Sequence, residues 1–132
     1  PCWFTKEDDA LTQDWFGNVF LNPPFGKGGK LQYQFIEYAI DQVHQGNAKC
    51  VIALIPARTD TKLFHDLCVK YASRIYLVKG RINFIRPGTH NHETCATFPS
   101  MIVKFAKTPP GKKWKYQIKP LPMPGTVRRG LE

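Results

Sequence analysis

The sequence lacks paired cysteines, a long hydrophobic segment and internal repeats. Its cysteines, at positions 2, 50, 68 and 95, are widely spaced and form no Cys-x-x-Cys pair, which suits free thiols in a reducing cytoplasm. Cys50 and Cys68 lie in apolar patterns, so we predict that both are buried. No apolar run is long enough to cross a membrane. We expect no signal peptide, because the first residues are acidic rather than basic and then apolar.

Acidic residues are scarce as well. The chain has 10 Asp and Glu against 19 Lys and Arg, which gives a formal net charge of +9 and an isoelectric point near 9.6. This balance favours a polyanionic partner, nucleic acid first, although charge of this kind also serves solubility alone. The 132 residues, 42% of them hydrophobic, suffice for one globular domain with a core.

The segment from Val19 to Gly26 joins the end of an apolar strand to a stiff loop. Pro23 and Pro24 have no backbone N–H, and each holds the residue before it in an extended conformation. The side-chain oxygen of Asn22 and the carbonyl of Pro23 are then two acceptors aimed the same way, which suits both hydrogens of a planar amine. Phe25 offers a ring on which a base extruded from a duplex can stack. These residues predict a site that transfers a methyl group to an amine.

A glycine-rich basic loop follows, and it contains Lys27 and Lys30. We predict that these lysines contact phosphates or belong to a lid, with a plain hinge between strand and helix as the alternative. The segment is not a Walker loop, because it has no Lys-Ser/Thr pair at the required spacing.

Periodicity predicts an α/β sandwich in which strands and helices alternate. The last strong strand returns after a loop without a helix, so we expect it to be antiparallel. The predicted strands cover 18–21, 50–55, 74–78, 82–85 and 98–105, the predicted helices 31–45 and 61–72, and the predicted loop 86–97, with a possible edge strand at 114–118.

Several basic residues follow predicted strands at the carboxyl edge of the sheet. Arg58 comes after strand 50–55 and is predicted to grip a phosphate or stack on a base, with an exposed residue of a capping segment as the alternative. Arg81 and Arg86 are predicted to touch DNA beside the same edge. His90, His92 and Cys95 suit a metal only if a fourth ligand converges on them, and no such ligand is evident, so we predict no metal site.

The motif Asn22-Pro23-Pro24-Phe25 matches the Asn/Asp/Ser-Pro-Pro-Tyr/Phe motif of amino-group methyltransferases that use S-adenosylmethionine. Its surroundings resemble the phage-type DNA adenine-N(6) methyltransferases over roughly the first four-fifths of the chain. The segments that carry this resemblance, in order, are 7–11 with Trp15, 53–61, 79–84 and 98–103.

The resemblance implies a Rossmann-like methyltransferase sheet in a three-layer sandwich, of which this chain looks like the C-terminal half. It implies a catalytic domain over 1–107 and a basic, Pro/Gly-rich extension over 108–132. Asn22 and Pro23 would hold the amine, Pro24 would stiffen the loop and Phe25 would stack on the base. S-adenosylmethionine would lie beside Asp9 and Leu11, although a solvated acidic loop is an equal interpretation of that segment.

The implied function is methyl transfer to the exocyclic amine of adenine in double-stranded DNA, in the cytoplasm of a bacterial host and encoded by a phage or prophage. The amine of cytosine and the side-chain amide of a protein glutamine are competing substrates, because related motifs serve them. A non-catalytic DNA-binding remnant of the fold is a further alternative. Residues 1–132 contain no motif for the methionine and ribose of the cofactor, which favours that last alternative.

Overall fold

The computed structural model describes residues 4, 8–85, 92–107 and 117–121. Of the side chains in these ranges, those of 84–85, 92–95 and 117–121 are not described. The strands are β1 (Gly17–Leu21), β2 (Ala48–Pro56), β3 (Arg74–Val78), β4 (Asn83–Ile85), β5 (His92–Cys95), β6 (Ser100–Ala106) and β7 (Gln117–Leu121).

Five strands form one mixed sheet in the order β1-β2-β6-β3-β7. β1 and β2 are parallel, and β6 runs antiparallel to both β2 and β3. The carboxyl ends of β1, β2 and β3 therefore lie at the same edge of the sheet as the amino end of β6. The α/β fold and the antiparallel strand expected over 98–105 are confirmed. Because β6 runs the opposite way, its first residues reach the edge at which the parallel strands end.

Helix α1 (Lys30–His44) connects β1 to β2 and covers the sheet with an apolar stripe. Gly46 follows it with φ of 85°, and the Gly46 N–H donates to the carbonyl of Val43 at 3.1 Å, a common way to end a helix. The buried residues of α1 are Gln32, Ile36, Ala39, Ile40, Gln42 and Val43.

The second helical region is shorter and less regular than the sequence predicts. Its first part, Leu63–Cys68, has the wide hydrogen-bonding pattern of a π-helix, and α2 (Val69–Tyr71) continues it. The Thr61 side-chain oxygen accepts the N–H of Phe64 at 3.2 Å, so Thr61 replaces the missing backbone acceptor at the start of this region.

The described residues comprise two layers, the sheet and a helical layer that covers one of its faces. The helical layer shares a single core with the inward residues of β2 and β6, which include Val51, Ile55, Val103 and Phe105. On the opposite face of the sheet, Phe20 of β1 is 68% exposed and pairs in register with Ile52, which is 39% exposed.

Three details differ from the sequence-based expectations. The predicted loop 86–97 contains β5, which pairs with β4 as an antiparallel hairpin. The edge strand predicted over 114–118 lies at 117–121, where Pro120 is tolerated because β7 is an outer strand of the described sheet. Cys50 is half-buried rather than buried, because its side chain lies on the sheet face that the helical layer leaves uncovered, whereas Cys68 is fully buried as predicted.

Alkylation of the native protein at about pH 8 is expected to leave Cys68 unmodified. Burial raises the pKa of the Cys68 thiol to about 12, so the reactive thiolate is scarce and shielded. Cys50 provides the comparison, because it is half-buried and free. Peptide mapping by mass spectrometry after iodoacetamide treatment measures both rates, and equal labelling of the two cysteines without denaturant would contradict the expectation.

Candidate active site

A cavity of about 270 Å³ opens at the carboxyl edge of the sheet. It lies between the loop that follows β1, the end of β2, the start of α1 and the start of β6. Its lining residues are Asn22, Pro23, Phe25, Gln32, Leu54, Ile55, Pro56, Arg58, Thr97, Phe98 and Ser100.

Three of the four predicted catalytic residues line this cavity. Pro23 is buried, whereas Asn22 and Phe25 are exposed toward the opening. The Phe25 carbonyl accepts the backbone N–H of Gln32 at 3.2 Å, which fastens the loop to the first turn of α1. Pro24 is exposed and is not a lining residue, and its role in stiffening the loop stays a prediction.

Arg58 lies over two aromatic rings at the cavity mouth. Its Cζ is 5.3 Å from the ring centre of Phe25 and 5.9 Å from that of Phe98, both within the range of a cation–π interaction. Several hydrogen bonds fix the segment that carries Arg58. The Ala57 N–H donates to the Pro99 carbonyl at 2.8 Å, and the Thr61 hydroxyl donates to the Arg58 carbonyl at 2.9 Å.

Sequence reasoning missed Phe98, Ser100 and Gln32 as members of the site. Phe98 adds a second ring to the wall that Phe25 begins, and Ser100 is a buried residue of the lining. The antiparallel direction predicted for this strand was the available signal, because it brings residues 98–100 to the edge where Asn22 lies. Gln32 belongs to the cavity lining because its backbone N–H donates to the Phe25 carbonyl, which holds the first turn of α1 against the loop.

Comparison with known proteins identifies the family. The model of the DNA N-6-adenine-methyltransferase (Dam) family matches residues 1–118. The chain belongs to the Dam family. This confirms the resemblance predicted from the motif and its flanking segments, and the family uses S-adenosylmethionine, the predicted cofactor.

One similar solved structure is described as the crystal structure of the M1.HpyAVI–SAM complex. It is 10% identical in sequence, with a TM-score of 0.28, and the alignment covers 92% of the present chain. The chain spans 63% of that structure's length. No curated protein matches the chain.

The residues predicted to bind the cofactor of a Dam enzyme lie outside the cavity lining. Asp9 is exposed and immediately precedes a single helical turn, Ala10–Thr12. Leu11 lies within that turn and is half-buried. This turn is anchored, because the buried Trp15 donates its ring N–H to the Ala10 carbonyl at 2.9 Å. Asp9 has φ of 45° and ψ of 79°, a left-handed conformation that is uncommon for residues other than glycine.

Of the predicted DNA-contacting residues that the structure describes, Arg58 lines the cavity, whereas Lys27, Lys30 and Arg81 do not. Lys27 is exposed in the loop before helix α1, Lys30 is the exposed first residue of that helix, and Arg81 is exposed three residues after the end of β3. All three therefore belong to segments at the carboxyl edge of the sheet. Arg86 lies outside the described residues.

No group of three or more potential metal ligands is found among the residues that the structure describes. Of the histidine–cysteine cluster considered from the sequence, His90 lies outside those residues, and the side chains of His92 and Cys95 are not described. In the same described part of the chain, no helix has the length and apolar character needed to span a membrane.

Proposed function

We propose that this Dam-family chain transfers a methyl group from S-adenosylmethionine to the exocyclic amine of adenine in double-stranded DNA. One observation carries the proposal: a single cavity combines the oxygen acceptors of Asn22 and Pro23 with an aromatic wall of Phe25 and Phe98. Acceptors beside a ring suit a planar base that bears an amino group.

Asn22 and Pro23 act on the amine without a strong base. The Asn22 side-chain oxygen and the Pro23 carbonyl accept one hydrogen each from the amine, which draws its nitrogen lone pair out of conjugation with the ring. As the nitrogen takes up the methyl group, positive charge develops on it, and both hydrogen bonds become charge-assisted and stronger. When bound, S-adenosylmethionine would supply an electrophilic methyl group from its sulfonium and leave as the neutral thioether, and the methylated nitrogen would then lose one proton to solvent. Among the described lining residues there is no carboxylate or imidazole, and we assign the stabilisation to these two oxygens.

The cofactor would be held by Asp9 and Leu11. The structure offers one observation that fits this role: the Asp9 carboxylate is exposed on an anchored turn, and its backbone occupies a left-handed conformation. Backbone outliers of this kind cluster at ligand sites. A carboxylate is an acceptor for ribose hydroxyls and a partner for an ammonium group, both of which S-adenosylmethionine contains.

The substrate would approach along the carboxyl edge of the sheet. Arg58, Lys27, Lys30, Arg81 and Arg86 would contact phosphates there and position the duplex without reading its sequence. The net charge of +9 supports a polyanionic partner. We place the protein in the bacterial cytoplasm, with a phage or prophage as the source of its gene.

A labelled-methyl assay tests the function and separates the competing substrates. The protein is incubated with labelled S-adenosylmethionine and unmethylated duplex DNA, and the label is then assigned to adenine, cytosine or protein. We expect label on adenine. Label on cytosine or on a glutamine side chain would overturn the adenine proposal, and DNA binding without any transfer would favour the non-catalytic remnant.

Arg58→Ala is expected to weaken DNA binding. It should also reduce the steepness with which log affinity falls against log salt concentration, by about 1. The guanidinium lies at the cavity mouth, where a phosphate beside an extruded base would pass. Lys70→Ala is the matched control, because Lys70 is exposed on α2 beside the amino end of β3, at the opposite edge of the sheet. Fluorescence anisotropy over a salt series measures both slopes. Equal changes in the two variants would contradict a phosphate contact by Arg58.

A further inference from the structure

Ser100 carries a buried hydroxyl that has no partner among the described residues. The residue is 1% exposed, it lines the cavity, and its Oγ makes no hydrogen bond. Leaving such a group unsatisfied is unfavourable, and each example in a folded protein calls for an explanation. Elsewhere in the described core the buried polar side chain of Gln42 is satisfied, because it accepts the backbone N–H of Trp15 at 2.8 Å. The position of Ser100 in the site therefore points to a ligand.

The residue opposite Ser100 on β2 does not supply a donor. In register, Ser100 lies opposite Pro56, and proline has no N–H to offer. The cavity already has two oxygen acceptors suited to an amine, in Asn22 and Pro23. A serine hydroxyl can donate as well as accept, so Ser100 adds the donor that these two oxygens lack. On adenine, the acceptors nearest the amine are the ring nitrogens N1 and N7.

We propose that the Ser100 hydroxyl donates a hydrogen bond to the ring nitrogen that flanks the target amine, which makes Ser100 a specificity-determining residue. The proposal rests on the proposed function, because it takes the base in the cavity to be adenine. A site built to hydrogen-bond a substrate atom rejects analogues that lack the atom, since its own polar group is then left unpaired. Contact with N7 would also exclude cytosine, whereas contact with N1 would not, because cytosine has a nitrogen at the equivalent position beside its amine.

The test combines protein variants with modified DNA. Unmethylated duplex is prepared with adenine, with 7-deazaadenine at every adenine position, or with 1-deazaadenine at one adenine position at a time, because adenine N1 pairs with thymine and its complete replacement would disrupt the duplex. Wild-type protein and Ser100→Ala are compared on each DNA, by kcat/KM for methyl transfer and by DNA affinity from anisotropy. Ser73→Ala is the matched control: the Ser73 hydroxyl donates to the Lys104 carbonyl at 3.0 Å, and Ser73 does not line the cavity.

On unmodified DNA, Ser100→Ala is expected to lower kcat/KM and affinity by roughly three- to tenfold. On the one analogue that lacks the contacted nitrogen, Ser100→Ala and wild type should be equal, and on the other analogue the full loss should remain. Ser73→Ala should follow wild type on all three DNAs. The proposal is overturned if Ser100→Ala loses the same factor on every DNA, or loses nothing on any.

The melting temperature and the Ser100→Cys variant distinguish loss of a contact with the base from loss of protein stability. Ser100→Ala should not lower the melting temperature, because no partner is lost, whereas Ser73→Ala should. Ser100→Cys keeps the approximate volume with only a weak donor, so it should follow Ser100→Ala. If the wild type binds DNA but transfers no methyl group, the proposed function fails. The affinity comparison across the three DNAs then still decides the role of Ser100, for or against.

Discussion

Asn22→Ala is expected to lower kcat for methyl transfer by about 10²–10³-fold, with little change in DNA affinity. The Asn22 oxygen and the Pro23 carbonyl belong to lining residues and are the two acceptors that we assign to the amine hydrogens. Their hydrogen bonds strengthen as positive charge develops on the nitrogen. A group that acts more strongly in the transition state than in the bound substrate affects kcat rather than binding.

Asn18→Ala is the matched control for this variant. Asn18 is the same residue type on β1, the strand that Asn22 follows, and it is exposed and does not line the cavity. Asn22→Asp retains an acceptor oxygen and should keep much more activity than Asn22→Ala. Single-turnover rates with labelled S-adenosylmethionine give the comparison. If Asn18→Ala and Asn22→Ala slow transfer equally, the assigned role of Asn22 is wrong.

Gly26→Ala is expected to destabilise the protein by about 2–5 kcal/mol and to abolish transfer with it. Gly26 has φ of 72°, which L-residues rarely adopt, and a Cβ built there lies only 2.4 Å from the Leu31 Cβ and 3.1 Å from the Leu31 backbone nitrogen. Backbone strain and steric overlap therefore add. Relief requires the loop to move away from α1, which displaces Phe25 from the cavity wall.

Gly28→Ala separates the cost of backbone strain from the cost of steric overlap with Leu31. Gly28 also has positive φ, 61°, but a Cβ there meets nothing within 4 Å. It should cost only the conformational penalty, about 1–2 kcal/mol. Urea denaturation of the two variants measures the difference in free energy of unfolding. Equal losses would show that close packing against Leu31 is not required.

The sequence predicted best the elements in which the apolar pattern ends at a clear turn signal. Strand β3 lies at 74–78 as predicted, because an apolar run ends at a glycine-containing turn. Strand β5 was predicted as loop, because its residues, His92–Cys95, carry no apolar alternation and form a strand through backbone pairing with β4. Backbone pairing of this kind leaves no trace in side-chain pattern.

The site was predictable where it is contiguous in sequence. Asn22, Pro23 and Phe25 follow one strand and Arg58 follows the next, so the strand-end rule placed them together. Phe98 and Ser100 entered the cavity through strand direction and register, which bring the start of β6 opposite Pro56. Single-residue register is fixed by the packing of the whole sheet and is not encoded in a local motif.

The most direct test of the central claim is the nucleoside composition of DNA from bacteria that lack adenine methylation of their own and express this protein. Digestion followed by mass spectrometry distinguishes N6-methyldeoxyadenosine from methylated deoxycytidine. We predict N6-methyldeoxyadenosine with the wild type and with Asn18→Ala, and its loss with Asn22→Ala. Methylated deoxycytidine instead, or the same amount of N6-methyldeoxyadenosine with Asn22→Ala, would contradict the assignment of this cavity as an adenine amine site.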